Sequence, residues 1–152
     1  MISRFEHFNA SIYGIYRDIL KIERAAMVKH GLKGSYALYL TAIARHPDGL
    51  TATQLCEICD KDKAAVSRVI TELEQKGLVA RIRHNETSYR ARLSLTDKGQ
   101  AIAREVAELA QVAVNKATVG MSEENRGIMY ECLGLIATNL RTICKEGISV
   151  DE

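Results

Sequence analysis

The fold is decided by residues 51–95, TATQLCEICDKDKAAVSRVITELEQKGLVARIRHNETSYRARLSL. Thr51 and Gln54 have the spacing of a capping box, in which each side chain bonds the backbone amide of the other residue at the start of a helix. Asp62 is placed to cap a second helix, and Gly77 is of the type favoured just after a helix ends. These signals predict two helices joined by a turn of three or four residues, a helix-turn-helix.

The residues after Gly77 change from helical to strand-like spacing. Residues 78–83 (LVARIR) and 89–95 (YRARLSL) are rich in strand-forming types, and the polar residues 84–88 (HNETS) lie between them. Two short strands with a polar tip predict a β-hairpin. A hairpin that directly follows a helix-turn-helix is a wing.

Apolar residues recur at helical spacing on both sides of this stretch. The spacing predicts four further helices, over about 5–29, 35–45, 96–119 and 122–143. The expected fold is therefore mainly α with a small β-hairpin wing, a winged helix-turn-helix with further helices before and after it.

Positive charge is concentrated in the same stretch. The 152-residue chain has a net charge of only +2, yet residues 61–92 contain eight bases against four acids, a balance of +4. The rest of the chain is therefore at −2. A basic patch on a nearly neutral protein indicates polyanion binding, and a solvated basic face without a partner is the alternative.

The second helix of the helix-turn-helix has a face suited to the major groove of DNA. Its inner face is expected to carry Val66, Val69, Ile70 and Leu73. The groove-facing set, with the preceding turn, is predicted to be Lys61, Lys63, Ala64, Ser67, Arg68 and Thr71. Bases bind phosphates or guanine edges, a hydroxyl donates to either, and methyl groups meet the thymine methyl. At the hairpin tip, the predicted minor-groove contacts are Arg83, His84, Asn85 and Arg90.

These motifs resemble the MarR (multiple-antibiotic-resistance regulator) family over nearly the whole chain. The matching elements are Gly49-Leu50-Thr51, Leu55, Asp62, Val66-Ser67-Arg68, Leu73, Gly77-Leu78-Val79 and Leu95-Thr96-Asp97-Lys98-Gly99. The resemblance implies a sequence-specific regulator of transcription that binds double-stranded DNA, commonly a repressor relieved by a small ligand. It carries the contacts of the recognition helix over to Lys63, Ser67 and Arg68.

The wing departs from the family pattern. Family wings usually have Asp-x-Arg near the tip, with the Asp orienting the Arg. Here Thr87 and Tyr89 fall at those places, and a register shifted by one puts Ser88 and Arg90 there. In both registers the Asp is missing. A protein-interaction module that keeps the fold but has lost DNA binding is therefore an alternative.

The flanking helices carry more apolar surface than a small DNA-binding core needs. A symmetric homodimer is the common way to bury such surface, and a monomer that folds the helices on itself is the alternative. The expected organisation is one domain, 1–152, in which 33–96 form the DNA-binding part and 1–32 and 97–146 are dimerisation helices. Such a dimer would bind a pseudo-palindromic operator with half-sites about one turn apart.

Four tyrosines cluster in the first two predicted helices, namely Tyr13, Tyr16, Tyr36 and Tyr39. They are candidates for the lining of an effector pocket for a small molecule, a position that the resemblance allows. Packing in the core or at an interface is the alternative.

The cysteines raise a second functional possibility. Cys56 and Cys59 form a single CxxC pair, which favours core packing but leaves a thiol- or metal-responsive regulator open. Cys132 and Cys144 are expected to pack in the last helix. The four histidines show no ligand spacing, so no metal site is predicted.

Several functional classes have no support in the sequence. We find no nucleophile–base constellation, phosphate loop or paired carboxylates, so we expect no enzyme and no cofactor. Apolar runs are too short to span a membrane, and the N-terminal residues do not resemble a signal peptide. The expected location is the cytoplasm.

Overall fold

A computed structural model describes residues 3–82 and 91–148 of the chain. Within these residues the fold is mostly helical, with a two-stranded antiparallel hairpin, as the sequence predicted. No helix in the described part of the chain has both the length and the apolar content needed to cross a membrane. The elements are α1 (Arg4–Lys29), α2 (Tyr36–Ala44), α3 (Ala52–Cys59), α4 (Lys63–Gln75), β1 (Val79–Ile82), β2 (Arg92–Leu95), α5 (Asp97–Ala117) and α6 (Glu123–Glu146).

The chain divides into two compact units, 1–113 and 114–152. In the first unit, α1 to α4, the hairpin and the first part of α5 share one hydrophobic core. Its largest fully buried side chains are Tyr36, Met27, Leu40, Ile43, Leu55, Ile70, Leu73, Leu78, Leu93 and Val66. In the second unit, none of the residues of α6, all of which are described, is buried.

The predicted caps of the helix-turn-helix are confirmed by hydrogen bonds. The Gln54 amide donates to Thr51 Oγ1 at 3.2 Å, and the Thr51 amide donates to Gln54 Oε1 at 2.9 Å. The Ala65 amide donates to Asp62 Oδ1 at 2.8 Å. This hydrogen bond is the main reason why the pKa of the Asp62 carboxyl lies below its usual value. Local side-chain bonds therefore fix where α3 and α4 begin.

The end of α4 is a Schellman motif centred on Gly77, which has a left-handed φ of 68°. The Gly77 amide donates to the Glu74 carbonyl and the Leu78 amide to the Leu73 carbonyl, both at 2.9 Å. Leu78 is buried, so the motif turns the chain from α4 directly into the hairpin.

The hairpin is shorter than predicted within the described residues. Val79 pairs with Leu95 and Ile82 with Arg92, so the strands occupy four residues each. The predicted tip and the outer part of both predicted strands lie in 83–90, outside the described residues. Leu50 adds an isolated antiparallel bridge to Leu93, which joins the base of the hairpin to the start of the helix-turn-helix.

The start of α5 is pressed against the end of α4 through Thr96 and Gly99. The Thr96 hydroxyl donates to the Gly77 carbonyl at 2.6 Å and accepts the Gly99 amide at 3.1 Å. A Cβ on Gly99 would lie 2.1 Å from the carbonyl oxygen of Leu78. Glycine is therefore required here by the close approach of the two backbones.

We expect Gly99→Ala to destabilise the protein by about 1–3 kcal/mol, because the added methyl must displace the backbone of Leu78. Chemical denaturation measures the change. The matched control is Gly127→Ala in α6, where a Cβ meets nothing within 4 Å and alanine favours the helix. Equal stabilities of the two variants would contradict the close approach.

Candidate nucleic-acid interface

Helix α4 is amphipathic, with one face in the core. Val66, Ile70 and Leu73 are buried and Val69 is half-buried, as the helical spacing predicted. Burial of these side chains leaves the opposite side of the helix to solvent. The orientation of α4 is thus set by the hydrophobic core beneath it.

The exposed side of α4 and the turn before it bring together the six residues predicted to face the groove. This cationic face comprises Lys61, Lys63, Ala64, Ser67, Arg68 and Thr71, all of them exposed. The Thr71 hydroxyl donates to the Ser67 carbonyl at 2.9 Å, so its methyl group remains for an outside contact. Within the described residues, neither Lys63 nor Arg68 forms an ion pair. The face can therefore offer free cations and a hydroxyl to an anionic partner.

The predicted wing contacts Arg83, His84, Asn85 and Arg90 lie outside the described residues. Their places relative to the cationic face stay predictions.

One flank of α4 is tied to the start of α2. Lys33 Nζ lies 3.1 and 3.0 Å from the two carboxylate oxygens of Glu72, and the Tyr36 hydroxyl donates to the same carboxylate. The hydrogen bond from Tyr36, then that from Lys33, holds the pKa of Glu72 below its usual value. Tyr36 is thus a buried residue whose hydroxyl helps to hold α4 in place. Its position in an apolar run of the sequence did not indicate this role.

The other flank of α4 is tied to the hairpin. Arg81 Nε and Nη2 lie 2.8 and 3.3 Å from the two carboxylate oxygens of Glu74. On the neighbouring strand, Arg92 Nη1 donates to the carbonyls of Asp48 and Gly49, at 3.4 and 3.0 Å. Both arginines belong to the basic stretch of the sequence, but their side chains bond other groups of the protein. The freely available charge is therefore smaller than the composition of the stretch indicates.

The four candidate effector tyrosines do not share one site. Tyr16 and Tyr39 line a cavity of about 240 Å³ between α1, α2 and α4. Tyr36 instead bonds Glu72, and Tyr13 is 64% exposed. The cavity also meets Lys61 and thus reaches the turn that begins α4.

The cavity wall combines apolar and titratable groups. Val69 of α4 and Leu20 of α1 supply apolar surface, and Glu23 supplies a half-buried carboxyl. Burial raises the pKa of Glu23, while the charge of Arg45 acts in the opposite direction. Such a lining suits a small amphipathic molecule.

The CxxC cysteines belong to the core rather than to an exposed reactive site. Cys59 is buried and Cys56 is half-buried against the core. Burial raises the pKa of the Cys59 thiol and so disfavours the thiolate, which is the reactive form and the metal ligand. In the part of the chain that the structure describes, no group of three or more potential ligands could hold a metal ion.

The expectation for Cys132 and Cys144 was wrong. Both thiols are exposed on α6. The helical spacing of apolar residues showed which side of α6 is apolar, but no residue of α6 is buried.

A capped helix-turn-helix, an antiparallel hairpin and a second helix with a cationic exposed face define a winged helix-turn-helix protein. A model of the MarR family matches residues 30–88, which include α2, α3, α4 and β1. The match covers 59 of the 152 residues of the chain, so this part of the chain is similar to the MarR family.

One curated relative is the HTH-type transcriptional regulator YdgJ of Bacillus subtilis (strain 168). It is 26% identical over 106 residues, which cover 70% of this chain and 65% of the relative. The match therefore spans just under two thirds of the length of that protein.

Solved structures share the fold over most of the chain. A MarR-family transcriptional regulator from Listeria monocytogenes, in complex with 26mer DNA, has a TM-score of 0.76 at 21% identity, covering 93% of this chain and 96% of that one. FabT from Streptococcus pneumoniae, in complex with DNA, has a TM-score of 0.77 at 23% identity, covering 91% and 99%. At these identities the likeness establishes the winged helix-turn-helix fold.

Proposed function

We propose that the protein is a transcriptional regulator that binds double-stranded DNA sequence-specifically through α4. The observation that carries the proposal is the cationic face, an exposed set of bases, a hydroxyl and methyl groups on a helix backed by the core. A helix of this kind fits the major groove, roughly 12 Å wide. The DNA complexes of two proteins with this fold support the same use here.

Within this proposal, the base-reading residues are Lys63, Ser67 and Arg68, with Ala64 and Thr71 as apolar contacts. Lys61 stands beside the N-terminal end of α4, where free amides favour a phosphate. The wing, through Arg83, His84, Asn85 and Arg90, follows the adjoining minor groove.

Arg68→Ala is expected to weaken binding to a preferred duplex by about 5- to 150-fold, the equivalent of about 1–3 kcal/mol for a lost base contact. The duplex is selected with the wild-type protein from a random pool, and affinities are measured at one fixed salt concentration. Arg104→Ala removes another exposed arginine, from α5, and should leave the affinity unchanged. If the wild type selects no duplex, or if Arg68→Ala binds as tightly as the wild type, the proposed role of α4 is wrong. Wild-type binding should also weaken steeply as salt rises.

The proposal includes a homodimer held by the terminal helices. Helix α1 exposes Phe5, Ile15 and Tyr16, each more than half exposed. Leu135 of α6 is 63% exposed, and α6 as a whole has no buried residue. A second copy of the chain would cover such surface with an equivalent one, and would place two copies of α4 on a pseudo-palindromic operator.

Sedimentation should give twice the mass of one chain for the wild type. Leu135→Asp is expected to shift the mass toward one chain, because a carboxylate would be buried without a partner. Arg141→Asp, an exposed change on the same helix, tests whether charge alone has this effect. A wild type that sediments as one chain at all concentrations would exclude the dimer.

We further propose that the protein is a repressor relieved by a small effector in the cavity beside Tyr16 and Tyr39. A ligand there would contact Lys61 and Val69, both at the recognition helix or the turn before it. It could therefore shift α4 between two arrangements of different DNA affinity. In a bacterial cell such a regulator acts in the cytoplasm, where the DNA lies.

The effector site is tested by filling it. Leu38 lines the cavity and is 37% exposed, so Leu38→Trp should occupy the cavity without unfolding the protein. We expect a compound that releases wild-type protein from DNA, found among small phenols and aromatic carboxylates, to lose its effect on this variant, whose DNA affinity is retained. Continued release of the variant would place the effector elsewhere.

A further inference from the structure

Glu74 is an unexpected residue on a DNA-binding helix. At 100° per residue it lies only about 20° around the helix from Lys63, so it stands at the C-terminal end of the cationic face. A free carboxylate there would repel the phosphates of DNA. Its side chain is only 29% exposed, however, and both its oxygens are occupied by Arg81.

The contact between Glu74 and Arg81 fixes an orientation as well as a distance. Two parallel bonds from one guanidinium to one carboxylate define the relative angle of the two groups. Arg81 belongs to β1, whose register with β2 is set by the pairing of Arg81 with Leu93. This pair, the Glu74–Arg81 clamp, therefore connects the last turn of α4 to the base of the wing, across the turn at Gly77.

The second strand of the wing is held separately. Arg92 bonds the carbonyls of Asp48 and Gly49, and Leu50 bridges Leu93. One strand is thus anchored to the helix-turn-helix through the loop before α3, and the other through α4. The base of the wing is held on both sides even though the Asp expected at its tip is absent from the sequence.

We propose that Glu74 is a positioning residue for DNA recognition: it holds Arg81 and thereby sets the angle between β1, at the base of the wing, and α4. This inference rests on the proposed function. Its competitor is that Arg81 itself contacts DNA and that Glu74 only weakens that contact. The two hypotheses predict opposite effects on DNA recognition when the Glu74 charge is removed. In the first, β1 is loosened and recognition becomes poorer. In the second, a cation is freed and the contact with DNA becomes stronger.

The test compares Glu74→Gln with the wild type on the selected duplex and on a scrambled duplex of the same composition. We expect the ratio of the two affinities to fall by roughly tenfold, about the discrimination carried by one base contact, while binding to the scrambled duplex is unchanged or tighter. Glu57→Gln removes an exposed carboxylate from α3 and should leave the ratio unchanged. A ratio for Glu74→Gln that is unchanged or higher overturns the proposal.

Exchange of the two charges separates the clamp from a simple charge effect. Glu74→Arg and Arg81→Glu should each lower the affinity ratio, and the double variant should recover most of it because the pair is restored in reverse. The thermal transitions of Glu74→Gln and the wild type should nearly coincide, since an ion pair whose arginine is about half exposed adds little to stability. Failure of the double variant to recover discrimination counts against the clamp.

A measurement without DNA keeps this inference separate from the proposed function. Residual dipolar couplings of the β1 and α4 amides report the angle between the two elements in the full chain. The angle should change or spread in Glu74→Gln and stay as in the wild type in Glu57→Gln. An unchanged angle overturns the clamp whatever the DNA result. A changed angle in a protein that selects no duplex supports the clamp and overturns the proposed function.

Discussion

The C-terminal end of α4 is the constraint on which the rest of the fold depends. The last carbonyls of a helix have no partner within it and must be satisfied by the following chain. Here the Leu78 amide bonds the carbonyl of Leu73, and the hydroxyl of Thr96 bonds that of Gly77. The Thr96 amide also donates to Leu78. Helix α4, the hairpin and the start of α5 therefore meet at one closely packed corner, and none of them can turn without breaking bonds to the others.

The charged side chains on and around α4 fall into two groups. Arg81, Arg92 and Lys33 bond carboxylates or carbonyls of the protein and fix its geometry. Lys63 and Arg68 remain exposed on the cationic face. This division explains how acidic residues can occupy a helix proposed to bind a polyanion, since Glu72 and Glu74 are each paired with a base from outside the helix.

The parts of the structure that could be predicted from sequence depend on local interactions. Capping by Thr51 and Asp62 involves residues three apart, and the apolar face of α4 repeats within two turns, so both are visible in a short window. The partner of Tyr36 lies 36 residues away, and a tyrosine in an apolar run resembles any other core residue. The exposure of Cys132 could not be predicted from the sequence pattern either. Periodicity shows which side of a helix is apolar, but not what covers that side.

The lack of buried residues in α6 has a consequence for how this protein holds its shape. Ordering a backbone costs roughly 1–2 kcal/mol per residue, and a helix recovers that cost mainly by packing an apolar face. With a second copy as the cover, folding of this segment and association become a single equilibrium. The number of molecules in a cell would then govern both how many binding-competent particles exist and how much of each chain is structured.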